Sequence, residues 1–472
     1  MRVVLVRQPL KHMIQPEIPS IVTEERRHNP PLGILYLASY LENFTQHDVK
    51  VLDTQVEELN YKLIEHRLRI LKPDIVGLNV MSFTLIDALI VARIAKKINP
   101  ETKVVVGGPH ANIFPKETAN LDCIDYVVIG EGEKVLPKLV DYIDNKKKIR
   151  KIKGLVFKDN NRIIMTGAEP RIENLDELPF PARHLTPYKK YSSLLAKRSP
   201  ITTMITSRGC PYNCLFCDRQ PMGKIFRTRS ATNVVDEIEQ CTQMGIHEFI
   251  LHDDTFTVKK DRVLEICHEI IARKLDIGFD IRARVNTVDY EMLIILKKAG
   301  CERIHYGVES GNQHILNVLR KGITLQQIKD AFRITKKVGI DTFGFFMIGN
   351  PTETKEQIMQ TIRFAQKLEP DYVHFSITTP FPGTDLYRLG LKLGILKDDY
   401  WKKYAENPSP GFKPEVWEEN LTREELVKLL NIAYKSFYQR PGYIIKKLFD
   451  IRSIAELKRK AKAGLKVFGM RV

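Results

Sequence analysis

Residues 205–217 are Ile205-Thr206-Ser207-Arg208-Gly209-Cys210-Pro211-Tyr212-Asn213-Cys214-Leu215-Phe216-Cys217, an apolar run followed by three cysteines at C-x3-C-x2-C spacing. Iron–sulfur cubes are normally held by four cysteines. A compact triad in a loop that contains glycine and proline therefore predicts a [4Fe-4S] cluster at Cys210, Cys214 and Cys217, with one iron left without a protein ligand. A small molecule can coordinate that open iron, so we expect the chemistry to occur there.

A zinc knuckle is the alternative for closely spaced cysteines. Zinc needs a fourth Cys or His nearby, and none lies between Asp218 and Gln240. The remaining cysteines stand singly at wide intervals, and we interpret them as packed apolar side chains: Cys123, Cys241, Cys267 and Cys301.

The cysteine triad, with the aromatic Phe216 before its last member, resembles the cluster motif of the radical S-adenosylmethionine (SAM) enzymes. This resemblance implies that SAM chelates the open iron through its amino and carboxylate groups. It also implies that an electron from the cluster cleaves SAM to a 5′-deoxyadenosyl radical.

Composition places the chain among globular proteins. It has 472 residues, 43% hydrophobic and 28% charged, which is enough for two or three domains. We find no signal-peptide pattern at the N-terminus and no apolar stretch as long as a membrane span, so a cytoplasmic location is expected. Thiolates used for a cluster rather than for disulfides fit that reducing compartment.

The net charge of +17 raises nucleic acid or an anionic membrane as a partner. Residues 440–472 contain ten Lys and Arg against two acidic residues, a local charge of +8. Apolar side chains interleave with these charges, which suits peripheral contact with the inner face of a membrane better than binding to nucleic acid. A helix packed on the barrel with a solvated lysine face is the commoner cause of such a pattern.

Residues 1–145 alternate strand-like and helix-like segments, which predicts an α/β domain with a doubly wound, Rossmann-like parallel sheet. In such folds ligands bind beyond the carboxyl ends of the strands. Three loops of small and polar residues are expected to line one crevice there, at 79–84, 107–110 and 130–133.

These loops resemble the cobalamin-binding domain that precedes the radical SAM domain in one large subfamily. The resemblance implies that cobalamin is bound by Ser82, Thr84, Gly107, Gly108, His110, Gly130, Glu131 and Gly132. Many cobalamin domains carry an Asp-x-His-x-x-Gly signature whose His ligates cobalt, but in the nearest counterpart, His28-Asn29-Pro30-Pro31-Leu32-Gly33, a proline replaces that His. We therefore expect cobalamin without a protein histidine on cobalt, with His110 against the corrin or nucleotide tail and His28 at the surface.

Beyond residue 145, residues 146–195 form a proline-bearing linker with a predicted hairpin around Asp159-Asn160-Asn161. Residues 196–400 then show a new βα rhythm. Six units predict a partial (β/α)6 barrel, similar to a TIM barrel, with its active site at the C-terminal strand ends. Residues 401–472 are predicted to be a helical, basic and amphipathic region that closes the barrel mouth.

Polar residues end the predicted barrel strands. The resemblance implies that a SAM pocket is formed there, together with Phe216, by Asp253, Asp254, Arg284, Glu309, Ser310 and Gly349. Among these, Arg284 matches the SAM carboxylate, and Glu309 can accept hydrogen bonds from ribose hydroxyls or an ammonium. The Gly-Gly-Glu string that often contacts the SAM amino group is replaced by His252-Asp253-Asp254. Salt bridges on the barrel rim are the alternative role for the charged members.

Over roughly residues 1–440, the chain most resembles the group that includes the anaerobic magnesium-protoporphyrin cyclase and radical methylases of unactivated carbon. The resemblance implies that the deoxyadenosyl radical abstracts a hydrogen from substrate and that methylcobalamin delivers a methyl group, which a second SAM restores. We expect a small-molecule or lipid substrate and a low-potential electron donor of flavodoxin or ferredoxin type. No residue is predicted to be catalytic.

Three alternatives to methylation stay open. The radical step can end in oxidative cyclisation or rearrangement of a tetrapyrrole-like or other substrate. A tRNA-modifying radical enzyme would explain the basic charge, but the tail is too apolar for RNA. A non-enzymatic cobalamin sensor would leave the cysteine triad without a purpose.

Overall fold

A computed structural model describes residues 1–15, 28–143, 145–218 and 223–449. The basic tail predicted to contact a membrane lies mostly outside these residues. None of the helices in the described part of the chain combines the length and the apolar character that crossing a membrane requires.

Fifteen strands make up three sheets within the described ranges. Their bounds are β1 (Arg2–Arg7), β2 (Asp48–Asp53), β3 (Ile75–Asn79), β4 (Lys103–Gly107), β5 (Tyr126–Val128), β6 (Leu155–Asp159), β7 (Arg162–Met165), β8 (Ile201–Met204), β9 (Ser207–Arg208), β10 (Arg227–Thr228), β11 (Glu248–Leu251), β12 (Gly278–Ala283), β13 (Cys301–Glu309), β14 (Asp341–Ile348) and β15 (Tyr372–Ile377).

The α-helices of the same ranges mostly connect these strands. They are Leu32–Phe44, Tyr61–Leu71, Leu85–Ile98, Pro109–Ile113, Pro115–Ala119, Val135–Tyr142, Lys146–Ile149, Ala231–Gln243, Lys260–Ala272, Tyr290–Lys298, Gln313–Val318, Leu325–Val338, Lys355–Leu368, Asp385–Leu393, Tyr400–Glu406, Arg423–Tyr438 and Pro441–Phe449.

The N-terminal sheet has the strand order β2-β1-β3-β4-β5-β6-β7, and its first five strands are parallel. Alternate residues of β1 enter two apolar clusters: Val4 and Val6 enter one, and Val3 and Leu5 the other. Helices therefore cover both faces, which explains the unbroken apolar run of this strand. The predicted doubly wound α/β fold is confirmed.

The hairpin predicted within the linker belongs to this sheet. Strand β6 pairs antiparallel with β5, and β7 pairs antiparallel with β6. The sheet therefore continues past residue 145. The rest of the linker is packed rather than loose: Arg183 is 3% exposed and bonds to Thr202 and Glu237. The exact domain limits stay a prediction.

The second large sheet has the order β15-β14-β13-β12-β11-β8, and all of its neighbours are parallel. Its six strands follow the six predicted βα units, so the partial barrel is confirmed. Capping boxes begin three of the later helices, because Thr324, Thr354 and Thr422 each accept from the third helical backbone N–H.

The C-terminal helices contact both large domains, and their closure of the barrel mouth stays a prediction. Helix Arg423–Tyr438 covers the free edge of β15, where the Tyr434 and Tyr438 hydroxyls bond to backbone groups of Phe375 and Val373. This satisfies groups that an edge strand leaves unpaired. Helix Tyr400–Glu406 instead packs into the core of the N-terminal domain.

Candidate active site

The cysteine loop begins where β9 ends and returns through β10, which pairs with β9. Gly209 has φ +87, and a Cβ on it would lie 2.2 Å from the carbonyl oxygen of Ile225. Only glycine fits this turn. The backbone N–H of Cys210 donates to the Gly223 carbonyl at 3.3 Å. This hydrogen bond joins the two ends of the loop.

Backbone hydrogen bonds fix the far side of the loop. The Leu215 N–H donates to the Leu319 carbonyl at 3.0 Å, and the Leu386 N–H donates to the Leu215 carbonyl at 2.9 Å. Leu215 packs against Leu386 and Trp417, with Phe216 partly buried beside them. Two barrel loops therefore hold the segment between the second and third cysteines.

The three thiols differ in exposure: Cys214 is buried, Cys210 is half-buried and Cys217 is exposed. Within the described ranges, no three His, Cys, Asp or Glu side chains meet around a point that could hold one ion. A cube takes one thiolate on each of three irons at separate corners, so separated thiols on a tightly held loop are compatible with it.

Arg284 supports this cluster assignment. Its Nη1 lies 3.5 Å from Cys214 Sγ, and its guanidinium stacks 3.8 Å from the Tyr212 ring centre. Its Nη2 donates to the Lys321 carbonyl. These contacts place a fixed positive charge beside the cysteine loop. Arg284 thus holds the cysteine loop, and its predicted contact with the SAM carboxylate stays a prediction.

The four single cysteines are buried, as predicted. Burial raises the pKa of Cys123 and Cys241 to about 11 and that of Cys267 to about 12. Burial also raises the pKa of Cys301. All four are therefore neutral thiols that fill apolar space.

Asp253 is hydrogen-bonded within the protein, and its predicted contact with SAM stays a prediction. It is 0% exposed, and its two oxygens accept four hydrogen bonds of 2.5 to 3.1 Å from the backbone N–H and hydroxyl groups of Thr206 and Ser207. Its carboxylate is thereby fully used in fixing the strand that leads to Cys210. Asp254 is exposed. Its pKa is raised because surrounding protein atoms displace part of its solvent and because Asp253 carries a like charge.

Glu309 is also paired within the protein. Its Oε1 lies 2.7 Å from Lys321 Nζ, and both side chains are buried. Glu309 has φ +68. A Cβ on Gly307 would lie 2.5 Å from that Glu309 oxygen and 2.7 Å from the Lys321 nitrogen, so the glycine makes room for the pair. Lys321 Nζ also lies 5.8 Å from the Phe216 ring centre, next to the cysteine loop.

The other two predicted SAM residues contact neighbouring helices. Ser310 is fully buried and its Oγ is 3.1 Å from Thr361 Oγ1. Gly349 has φ +71, and a Cβ on it would lie 2.7 Å from the Leu426 side chain. Both positions therefore have a packing reason for their residue type, and their contact with SAM stays a prediction.

The predicted cobalamin loops come together at the carboxyl ends of β3, β4 and β5. Ser82 Oγ and His110 Nδ1 are hydrogen-bonded at 2.9 Å. The backbone N–H of His110 donates to the Val80 carbonyl. Thr84 Oγ1 accepts from Gln8 at 2.9 Å. Ser82 and Thr84 thus shape the first loop from inside.

His110 is buried, and burial lowers its pKa to about 4, so the ring is neutral. Its Nε2 has no hydrogen-bond partner among the residues that the structure describes. Such an orphaned atom is costly to bury. A ligand at the crevice could supply the missing partner, which agrees with the predicted corrin or tail contact.

Two glycines give the crevice its shape. Gly108 has φ +102, and a Cβ on it would lie 2.3 Å from Asn79 Oδ1. Gly130 has φ +81, but a Cβ there would meet no protein atom within 4 Å. Gly107 and Gly132 are half-buried in the same two loops. Open space beside Gly130 fits the close approach of a bulky ligand such as cobalamin.

Glu131 is ion-paired within the protein, and its predicted contact with cobalamin stays a prediction. It is 9% exposed, accepts from the Ile172 N–H at 2.7 Å, and pairs with Arg208 at 3.0 Å and Arg227 at 2.8 Å. Burial would raise its pKa, but hydrogen bonds from Arg227 and the charge of Arg208 lower the pKa to about 2. Glu133 pairs with Arg208 as well. We call these four side chains the inter-domain ion cluster.

This cluster joins the third cobalamin loop to both ends of the cysteine loop, because Arg208 precedes Cys210 by two residues and Arg227 lies on the returning strand β10. Neither Arg208 nor Arg227 was predicted from the sequence to belong to the site. The sequence shows two acidic residues in the glycine loop 130–133 and one arginine on each side of the cysteine loop. This pattern is too common to indicate that the charges pair.

Comparison with known proteins agrees with both halves of the site. A model of the radical SAM superfamily matches residues 204–365, and a model of the B12 binding domain matches residues 21–140. The chain is 38% identical over 442 residues, 93% of its length and 94% of the relative's, to an uncharacterized methyltransferase from Pyrococcus horikoshii. This chain belongs to the radical SAM superfamily, and it carries a B12 binding domain.

Two further similarities refine this placement. The chain is 31% identical, over 88% of its length and 75% of the relative's, to the anaerobic magnesium-protoporphyrin IX monomethyl ester cyclase of Rubrivivax gelatinosus. Its fold is similar to that of the cobalamin-dependent SAM radical enzyme OxsB, with a TM-score of 0.75 and 19% identity over 99% of this chain and 72% of that one. The predicted family and fold class are confirmed.

Proposed function

We propose that this radical SAM enzyme is a cobalamin-dependent methyltransferase acting on an unactivated carbon of a small-molecule or lipid substrate. The observation that carries the proposal is the direct link between a three-cysteine loop and one glycine loop of a B12 binding domain through the inter-domain ion cluster. Two cofactors whose binding loops share one set of buried ion pairs are held in a fixed relation, as a reaction that uses both requires.

Different residues of the chain would bind the two cofactors. Cys210, Cys214 and Cys217 would hold the [4Fe-4S] cluster and leave one iron for SAM, while Arg284 contacts Cys214 and positions the loop. The glycine loops around Gly108 and Gly130 would hold cobalamin. When bound, the cluster supplies the electron that cleaves SAM and cobalamin supplies the methyl group. The protein contributes positioning and a pocket sheltered from water.

Radical oxidative cyclisation is the second candidate, and the similarity to the magnesium-protoporphyrin cyclase favours it specifically. The two reactions share the radical step and differ in the fate of the substrate radical. A low-potential donor of flavodoxin or ferredoxin type is part of either proposal. A cytoplasmic location with contact between the basic tail and a membrane surface also stays a proposal.

The test is anaerobic reconstitution with iron, sulfide and cobalamin, followed by mass spectrometry of SAM under a low-potential reductant. We expect 5′-deoxyadenosine from the wild type and a loss of it in Cys210→Ala. Cys267→Ala is the matched control because that thiol is buried and far from the loop in sequence. Methyl-labelled SAM then separates the candidates: methylation requires label on bound cobalamin, whereas an unlabelled cobalamin with full SAM cleavage would favour cyclisation.

A further inference from the structure

The inner face of the partial barrel carries side chains that the site described above does not use. On β12, Phe279, Ile281 and Ala283 pack in the apolar core beneath the helices. Because strand residues alternate, Asp280 and Arg282 face the opposite side, into the lumen of the barrel. The same alternation turns His252 and His305 toward the lumen, since their neighbours Leu251, Ile304 and Tyr306 lie in the core.

One wall of the lumen is aromatic. In the strand register, His305 lies beside Phe343, and Phe343 lies beside Tyr372. The His305 and Phe343 rings are stacked with centres 5.1 Å apart, and Phe343 and Phe345 are 4.8 Å apart. The Phe345 ring lies 5.7 Å from that of His374. All five side chains remain partly exposed, so they form a surface on which a planar apolar group could lie.

Arg282 stands at the end of this wall, beside His305 in the register. It is exposed to the lumen and makes no hydrogen bond or ion pair with any residue that the structure describes. Its electrostatic neighbours are Asp254, Asp253, His252 and His305. Burial, with the nearby charge of Arg282, lowers the pKa of His252 to about 3, so His252 is neutral.

The floor of the lumen is closed by groups that are already paired. Arg303 Nη1 lies 2.7 Å from Asp280, and Arg303 Nη2 donates to the Leu195 carbonyl at 2.9 Å. The linker thus crosses the bottom of the barrel. Higher up, Lys321 pairs with Glu309 and Arg284 with the Lys321 carbonyl. Among these four cations, Arg282 is the one without a partner.

We propose that the substrate is a molecule with a planar, conjugated or aromatic body and a carboxylate or phosphate group, in which the body lies on the His305–Phe343–Phe345 wall and the anionic group binds Arg282. A guanidinium matches either oxyanion with two parallel hydrogen bonds. The proposal rests on the proposed function, because it names the substrate class of that enzyme.

Depth separates Arg282 from the SAM site. Arg284, in extended backbone directly after β12, reaches the Cys214 thiol, and Arg282 lies two residues earlier within β12, which places it roughly 7 Å deeper in the lumen. A ligand that chelates the cluster enters from above, whereas a group held by Arg282 lies below it. The substrate body would then extend along the aromatic wall toward the cofactors.

The test measures binding of planar probes to the reconstituted enzyme with SAM by calorimetry. The probes are 1-naphthoate and naphthyl phosphate, each compared with the neutral 1-naphthamide. We expect the anions to bind more tightly than the amide, and Arg282→Gln to weaken anion binding about tenfold or more without changing binding of the amide. Arg282→Lys is expected to restore part of the loss. Arg333→Gln, which removes an exposed charge outside the barrel, is the matched control.

Formation of 5′-deoxyadenosine is measured in the same variants. Arg333→Gln, the matched control, is expected to cleave SAM at the wild-type rate, whereas a loss of SAM affinity in Arg282→Gln would make Arg282 a SAM residue and overturn the proposal. Equal binding of anions and amide, or no binding of any probe, would overturn it as well. If the wild type cleaves no SAM, the proposed function fails, and the probe affinities still report on the lumen by themselves.

Discussion

At the scale of single residues, the contact between Arg284 and Cys214 makes a prediction about the cluster. Replacing Arg284 by Ala removes a cation 3.5 Å from the thiol and the stacking partner of Tyr212. We expect lower iron content after reconstitution and at least a tenfold slower formation of 5′-deoxyadenosine, since one charge-assisted contact contributes roughly 1.5–3 kcal/mol. Iron analysis and mass spectrometry measure both quantities.

Arg284→Lys is the informative companion variant, because it keeps the charge but not the planar stacking group. Partial recovery of iron content is expected. Full iron content in Arg284→Ala would contradict a role of Arg284 in cluster binding and leave only its packing on Tyr212.

Glu353 predicts a pH dependence of stability. Burial raises its pKa from 4.5 to about 7, although two hydrogen bonds from Asn350 act in the opposite direction. The folded state therefore holds the proton more tightly, and the stability this contributes is present below pH 4.5 and lost as the pH rises through about 7. Glu353→Gln is expected to remove this loss, which is worth about 3 kcal/mol. Urea unfolding at pH 5 and pH 8 measures it, and equal pH dependence in both proteins would contradict the assignment.

What could be predicted at this scale depended on whether a residue's partners are near in sequence. The cysteine triad was predictable because its three ligands lie within eight residues. Asp253 and Glu309 were expected to meet a ligand, yet their partners Thr206 and Lys321 come from other strands and loops. No local pattern indicates such pairs.

At the scale of elements, two glycines of the B12 binding domain give opposite expectations for the same substitution. Gly108→Ala places a methyl group 2.3 Å from Asn79 Oδ1, next to buried backbone, at φ +102. We expect it to destabilise the domain by more than about 2 kcal/mol. Gly130→Ala meets no protein atom and costs only the strain of φ +81, about 1 kcal/mol.

Cobalamin titration separates packing from ligand contact in this pair. If cobalamin fills the space beside Gly130, Gly130→Ala weakens its binding while unfolding without cobalamin changes little. Undiminished cobalamin affinity in Gly130→Ala would remove Gly130 from the proposed site. Thermal unfolding with and without cobalamin provides both measurements.

Elements were predicted well where alternation and buried apolar runs are strong, as in β1 and in the six barrel strands. Hairpin β6–β7 was predicted from its turn residues, and Asn160 and Asn161 do adopt positive φ. Its addition to β5 was not predictable, because which strand a hairpin joins is set by distant pairing rather than by its own sequence. The same applies to helix Arg423–Tyr438, whose tyrosines bond to β15.

At the scale of the whole molecule, the inter-domain ion cluster connects the binding loops of the two cofactor domains. Four charges buried together are expensive unless every one is paired. Here Glu131 accepts hydrogen bonds from Arg208, Arg227 and a backbone N–H, and Glu133 accepts one from Nη2 of Arg208. The charges therefore contribute little net stability but fix one relative placement of the loops.

Glu131→Gln tests this coupling, because it leaves Arg208 and Arg227 short of a buried counter-charge. We expect the free energy of unfolding to fall by about 3–5 kcal/mol, whereas Glu239→Gln, at an exposed ion pair, should cost less than about 1 kcal/mol.

The pKa of Glu131 is lowered to about 2, so its contribution is present above the ordinary pKa of 4.5 and lost as the pH falls toward 2. The difference between wild type and variant should therefore be constant above about pH 5 and shrink in acid. Because the cluster orients loops rather than reactants, cleavage of SAM should survive better than transfer of its methyl group, and an equal loss of both would mean that Glu131 only stabilises the fold.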